Sequence, residues 1–312
     1  MTTDRMDEPA ADSLRAAPTR RRMDAPLVQS ACRHPERWDV RHVDSTGSTN
    51  DDLTATLGLD RESGLEVRAW PAGRPSPVLI TEEQIAGRGR SGRQWVCPLG
   101  AGLMFSVALH LPAIPPARRG WVGAILGVAI VRALRSPALP AVAAGSAGPA
   151  EGARMSLKWP NDLLADGLKC GGILAEMTND AVVVGAGLNI SLTSAELPRP
   201  DATSLLLAGH PSVDRNVLLA AILDEFGTSL DAWCAAAGNV QVSGLRAEYL
   251  QECSTVGSRV RVQLPGGRVV IGTAVDVDVD GAIVVETASG GRTRFSAGDV
   301  VHLRPDPSAG AG

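Results

Sequence analysis

A chain of 312 residues, 44% hydrophobic and 21% charged, is long enough for two domains with a core in each. A formal net charge of −4 and an aromatic content of 3% argue against a general nucleic-acid or membrane surface and against a base-stacking platform. No apolar run approaches the ~20 residues of a membrane span and no signal-peptide pattern opens the chain. The cysteines (Cys32, Cys97, Cys170, Cys234, Cys253) are odd in number and form no CxxC pair, which points to a reducing, cytoplasmic setting.

Residues 1–37 are rich in Ala, Pro, Asp and Arg without apolar periodicity, and predict a disordered tail. Structured patterning begins at Trp38. The stretch STGSTNDDLTATLGL predicts a helix entry, with Ser48 or Thr49 as cap and Asp51 and Asp52 at its positive end. PVLITEEQ and GLMFSVALHL read as strands, and Trp121 to Leu134 as a helix apolar nearly all round. Ser136 to Gly152 is a Pro/Ala/Gly/Ser loop, expected to be an exposed and mobile insertion. Three β-like runs follow, around Leu157 to Trp159, Gly171 to Met177 and Val182 to Ile190. Helical patterns then run from Val213 to about Ala237 and from Gly244 to Glu252. From Val256 onward, short Val/Ile runs alternate with tight glycine turns, as in a small β-barrel. The reading is an α+β domain over residues 38–253, a compact β module over 254–305 and a short tail over 306–312.

The segment QIAGRGRSGRQW interleaves Gly87, Gly89 and Gly92 with Arg88, Arg90 and Arg93. Glycine allows close backbone approach and arginine a planar donor fork, so this loop suits an anion. It formally matches GxGxxG, but no helix follows to receive a pyrophosphate, and the residues of a kinase are missing downstream. A solvated hairpin tip is the competing reading, set against the mutual repulsion of three crowded arginines. Of 30 basic residues only Lys158 and Lys169 are lysine, and both fall in one short stretch. Lys158-Trp-Pro-Asn-Asp162 has the chemistry of a hairpin turn. It also offers an ammonium, with Asn161 and Asp162 to orient a nucleotide or its Mg²⁺. Lys169-Cys-Gly-Gly-Ile-Leu-Ala-Glu176 and Gly185-Ala-Gly-Leu-Asn189 place glycines within strands, a sign of close approach by ligand or backbone. Ser48-Thr49-Asn50 is a helix cap and equally a cluster able to satisfy a small polar ring. The histidines are scattered and no nucleophile signature is present. The chemistry implied is positioning and charge stabilisation of phosphate.

Four motifs in order (STN, QIAGRGRSGRQW, KWPNDL with KCGGILAE, and GAGLN) make the chain resemble biotin–protein ligases of the biotin–[acetyl-CoA-carboxylase] ligase type over residues 40–304. The resemblance implies a mixed-sheet catalytic domain packed with helices and followed by an SH3-like β-barrel. It implies formation of biotinyl-5′-AMP from biotin and MgATP, then transfer to a lysine of the biotin carboxyl carrier domain of an acyl-CoA carboxylase. Lipoate ligation and biotinyl-AMP sensing without transfer are the alternatives. The resemblance places Ser48, Thr49, Asn50, Gln84, Arg88, Gly89 and Arg90 around biotin, with Lys158 bridging its carboxylate and the α-phosphate. Arg88 and Lys158 are the catalytic candidates. Arg93, Trp95, Asn161, Asp162, Lys169 and Asn189 are placed about ATP, and no metal ligand is assigned. Some relatives carry an N-terminal helix-turn-helix domain; the segment before Trp38 is too short and too poorly patterned for one, so a monofunctional ligase is expected.

Overall fold

The structure, a computed structural model, describes residues 20–56, 74–136, 153–178, 180–210, 214–264, 267–296 and 299–302. Most of the expected tails (1–19 and 306–312) and of the expected insertion (137–152) lie outside these residues. After a short helix, α1 (Ala25–Ala31), comes β1 (Trp38–Thr46), with Trp38 and Val40 facing inward. Its partner β2 (Ser76–Gln84) runs parallel, so the chain crosses over between them, beginning in α2 (Thr49–Thr56). Strand β3 (Gly102–His110) is buried along all but its last residue, as a central strand covered on both faces must be. Beyond it lie β4 (Met155–Lys158), β5 (Asp162–Ala165), β6 (Leu168–Thr178) and β7 (Ala181–Asn189). The sheet order is β1-β2-β3-β7-β6-β5-β4, antiparallel after the first pair.

One face of this sheet is covered by α3 (Val122–Arg135), α4 (Arg215–Ala235) and α5 (Leu245–Glu252). Helix α3 is buried nearly all round, and Gly127 lets it approach Leu157 and Ile173 to within contact distance. Trp38 stacks on Phe226 of α4 at 6.3 Å. On the other face α2 seals only one end, through Leu53 against Leu79, Ala108 and Val183. Above β6 and β5 that face is free to form a cavity.

The C-terminal module is a second sheet of β8 (Arg259–Gln263), β9 (Val269–Val277), β10 (Ile283–Glu286), β11 (Arg292–Phe295) and β12 (Asp299–His302), in the order β11-β10-β9-β8-β12. Val260 and Val262 point inward between exposed Arg259, Arg261 and Gln263, the period of two expected of a half-buried strand. Two tryptophans of the large domain donate to one turn of this sheet, Trp121 Nε1 to Val279 O at 2.8 Å and Trp159 Nε1 to Gly281 O at 3.0 Å. Arg246 grips Asp276 with both carboxylate oxygens, at 2.5 and 2.6 Å.

The expected tail over residues 1–37 is overturned from residue 20. Asp24 caps α1 by accepting from Leu27 N at 3.0 Å, Pro26 fits its first turn, and Val28 is wholly buried. Seven residues are too few to display a helical period, and the anchors here are polar and distant in sequence. Met23 N donates to Glu82 Oε1 at 2.6 Å; Arg215 donates to Glu82 Oε2 at 2.8 Å and to Arg21 O at 2.6 Å. Glu82 and Arg215 are both buried, so removing one leaves the other charged and unpaired. Arg215→Ala is expected to cost about 3–5 kcal/mol of unfolding free energy, read from urea denaturation.

Candidate active site

The floor of the cavity is a row across four strands: Gly187, Gly172, Asp162 and Lys158 are successive partners from β7 to β4. The inner two positions have no side chain. A Cβ on Gly187 would lie 2.5 Å from the Trp95 ring, and one on Gly172 would lie 3.8 Å from it, so the indole packs where side chains are missing. The neighbouring row repeats the device. A Cβ on Gly185 would meet Asn50 Oδ1 and Ser106 Oγ, which come within hydrogen-bond reach of each other only because it is absent.

That second row carries a neutral polar cluster. Ser106 Oγ donates to Asn50 Oδ1 at 2.6 Å and lies 2.7 Å from Thr49 Oγ1. Gln84 Oε1 accepts from Thr49 N at 2.9 Å, which orients the Gln84 amide from the end of β2. Asn50 Nδ2 donates to Leu174 O at 3.2 Å and Glu176 Oε2 at 3.0 Å. Ser48, Thr49, Asn50 and Ser106 are all buried.

The Gly-Arg segment is a hairpin over this floor. Arg88 pairs with Gln94, Gly89 N donates to Arg93 O at 2.7 Å, and Trp95 N to Gly87 O at 2.8 Å. Its tip turns through left-handed Ser91 and Gly92, at φ 56° and 72°. Arg88 ion-pairs with Asp51 and with Glu176, the latter at 3.0 Å.

Hairpin β4–β5 carries Lys158 and the partner of Lys169. Asn161 is tied to β6 from both sides, donating from Nδ2 to Ile173 O at 2.8 Å and accepting from Ile173 N at 2.9 Å on its carbonyl. Lys169 Nζ meets Asp162 Oδ1 at 2.5 Å, and Arg199 grips Asp201. Lys158 makes no ion pair among the described residues. Burial, reinforced by the Lys169 charge, pushes its ammonium below the usual lysine range, against the pull of Asp162. Two buried polar atoms of the cavity wall, Trp95 Nε1 and Asn189 Oδ1, have no hydrogen-bond partner among the described residues. The other end of the Asn189 amide is held by Thr203 O at 2.9 Å.

A cavity of about 350 Å³ unites these groups. Ser48, Thr49, Asn50 and Gln84 line one end; Arg88, Gly89, Arg90 and Arg93 the roof; Trp95, Asn161, Asp162, Lys169 and Asn189 the other end. Lys158 is absent from the lining. It stands two strands beyond Gly172, roughly 10 Å along the row, and reaches inward only past Asp162. The hairpin-turn reading of KWPND holds, and the turn carries Asn161 and Asp162 into the cavity lining; Lys158, expected within the site, stands instead at its edge. Sequence reasoning missed Ser106, whose signal was one hydroxyl in an apolar strand, and Arg199 and Ala202, which close the wall from an irregular segment with no motif.

Residues 59–190 match the Biotin/lipoate A/B protein ligase family, and residues 255–303 the Biotin protein ligase C terminal domain. The chain is 41% identical over 263 residues to the Biotin–[acetyl-CoA-carboxylase] ligase of Mycobacterium tuberculosis, covering 84% of this chain and 88% of that protein. It is 30% identical to the Bifunctional ligase/repressor BirA of Escherichia coli over 67% of this chain and 61% of that protein. In fold it is similar to the biotin protein ligase from Aquifex aeolicus solved in complex with biotin and ATP, with a TM-score of 0.61, 22% identity, and coverage of 86% of this chain and 99% of that one. The glycine floor yields a direct test: Gly187→Ala is expected to displace the Trp95 indole, seen as a changed near-ultraviolet circular dichroism spectrum that Gly187→Ala leaves unaltered in a Trp95→Phe background.

Proposed function

This chain belongs to the biotin protein ligase family, and on that premise we propose that it activates biotin with ATP and transfers it to a lysine of the biotin carboxyl carrier domain of an acyl-CoA carboxylase. The observation that carries the reading is the polarity of the cavity. A neutral hydrogen-bonding end and a cationic middle lie in one space, matching a ureido ring and a carboxylate that must meet a triphosphate.

In this reading Ser48, Thr49, Asn50 and Gln84, with Ser106 beneath them, satisfy the ureido group of biotin. These groups are already hydrogen-bonded to one another, so the cluster presents a fixed polar end, and an acid lacking that ring buries its apolar surface against it without gaining hydrogen bonds in return. The biotin carboxylate lies beneath Arg88, Gly89 and Arg90. One of its oxygens attacks the α-phosphorus, and pyrophosphate leaves. Two anions must approach each other in that step, and Lys158 reaches between them as a compact charge. Arg93, Lys169 and Arg199 face the phosphates. Trp95 Nε1 and Asn189 Oδ1 are an unmatched donor and acceptor, suited to the polar edges of a nucleoside.

Mg²⁺ would arrive on the triphosphate and neutralise the departing pyrophosphate. Asp162 is the carboxylate in the described cavity lining that would be placed to help hold the ion, with phosphate oxygens expected to supply the remaining ligands. The amine of the carrier lysine then attacks the anhydride carbonyl, and AMP leaves. The hairpin over the floor keeps water from that anhydride. No helix among the described residues is long and apolar enough to cross a membrane, and the free cysteines suit the reducing cytoplasm in which we place the reaction.

Incubation with ATP, Mg²⁺, biotin and a carrier domain is expected to add one biotinyl group to the carrier lysine, read by mass spectrometry. No gain in mass from folded protein overturns the reading, and a gain with lipoate instead redirects it. Lys158→Arg is expected to abolish pyrophosphate release while circular dichroism stays native, because a guanidinium fork does not fit the point-charge position.

A further inference from the structure

Lys158 sits on an edge strand, yet the chain on either side of it is held from the C-terminal segment. Leu157 forms a parallel bridge with Cys253, and its carbonyl accepts from Ser254 N at 2.8 Å and Ser254 Oγ at 2.9 Å. On the other side Trp159 N donates to Thr255 Oγ1 at 2.9 Å, while the Trp159 indole donates to Gly281 O. Residues 253–255 thus flank residues 157–159 one for one. Thr255 has no exposed surface, and its hydroxyl lies 3.0 Å from Nε2 of His302 on the last strand.

The bond to Trp159 N matters most, because that nitrogen belongs to the peptide unit joining Lys158 to Trp159. Fixing the peptide plane fixes ψ of Lys158, and with it the direction in which the side chain leaves the strand. Ladder pairing has ended at this point, so a side-chain hydroxyl supplies the acceptor that a neighbouring strand would otherwise give. Nothing else among the described residues bonds that amide. His302 completes the arrangement: it engages the same hydroxyl and limits its rotation.

We propose that Thr255, held by His302, is a positioning residue for Lys158, so that the C-terminal module aims the ammonium that the adenylation step uses. The inference rests on the reading of Lys158 given above. It makes the small sheet a working part of the site although no side chain from it enters the cavity among the described lining residues.

The test uses the chain's two lysines. Lysine-selective ¹³Cε labelling gives one signal each for Lys158 and Lys169, assigned with Lys169→Arg. Thr255→Val keeps the shape but removes the acceptor. It is expected to move the Lys158 signal, leave the Lys169 signal in place and slow pyrophosphate release roughly ten- to hundredfold. Thr255→Ser is expected to restore both. Should Thr255→Val fail to fold, His302→Leu is expected to move the same signal and slow the same step to a smaller degree. A Lys158 signal unmoved in the folded variants, or a rate loss that Thr255→Ser does not recover, overturns the proposal. The spectral arm needs no substrate. A Lys158 signal that moves in Thr255→Val, together with wild-type protein that never labels a carrier, therefore refutes the functional reading and leaves the positioning intact.

Discussion

Where β6 and β7 meet beneath the hairpin, the sheet must present bare backbone. A single methyl on Gly187 would drive into the Trp95 ring at 2.5 Å, and one on Gly185 would separate Asn50 from Ser106. Close-packed protein interiors do not absorb such overlaps without moving the backbone or the neighbour. Every other part of the site follows from this constraint. The indole can lie on the sheet, the polar cluster from α2 and β3 can close beneath it, and the hairpin that carries Trp95 can descend to form a roof. The helices on the opposite face keep the sheet from adjusting, since α3 is itself held close through Gly127.

Above that floor, most of the cations are already engaged. Arg88 is shared by Asp51 and Glu176, Lys169 is joined to Asp162, and Arg199 to Asp201. These pairs fix geometry and lower the net charge of the cavity, so an incoming polyanion meets preset directions rather than a diffuse positive field. Lys158 differs from them in being half-buried and in no ion pair among the described residues. Burial is the main cause of its depressed proton affinity, with the Lys169 charge adding to it. Lys158 and Lys169 are the only two lysines in a chain that otherwise uses arginine, and both flank Asp162.

The long buried elements were legible because their patterns exceed any competing reading. Helix α3 is apolar on every side, β3 is apolar along nearly its whole length, and α4 shows an unbroken helical pattern. The hairpin loop and the strand glycines were legible because their residue types have few uses other than close approach. What escaped depends on partners far away in sequence. Helix α1 is held by Glu82 and Asn216, Ser106 gains meaning only from Asn50, and Thr255 only from Trp159. A threonine in a turn or a serine in a strand carries no mark of the group it will meet. Arg199 belongs to the same class, an arginine among many, singled out only once Lys169 pairs alongside Ala202 and draws that segment to the wall.

The segment from Arg20 to α1 has a practical bearing on where the folding unit starts. Arg20 clasps Glu196 at 2.7 Å, and its stem packs against Gly100. Arg21 O and Met23 N engage the buried Glu82–Arg215 couple. Trimming the gene to begin at Trp38, where periodic patterning starts, would strip the cover from that couple and from Val28's niche. It would also loosen the stretch that leads from Glu196 to Arg199. The folding unit therefore includes at least the residues from Arg20 onward, some eighteen residues earlier than hydrophobic pattern alone would place its start, because long-range polar anchors are already present there among the described residues.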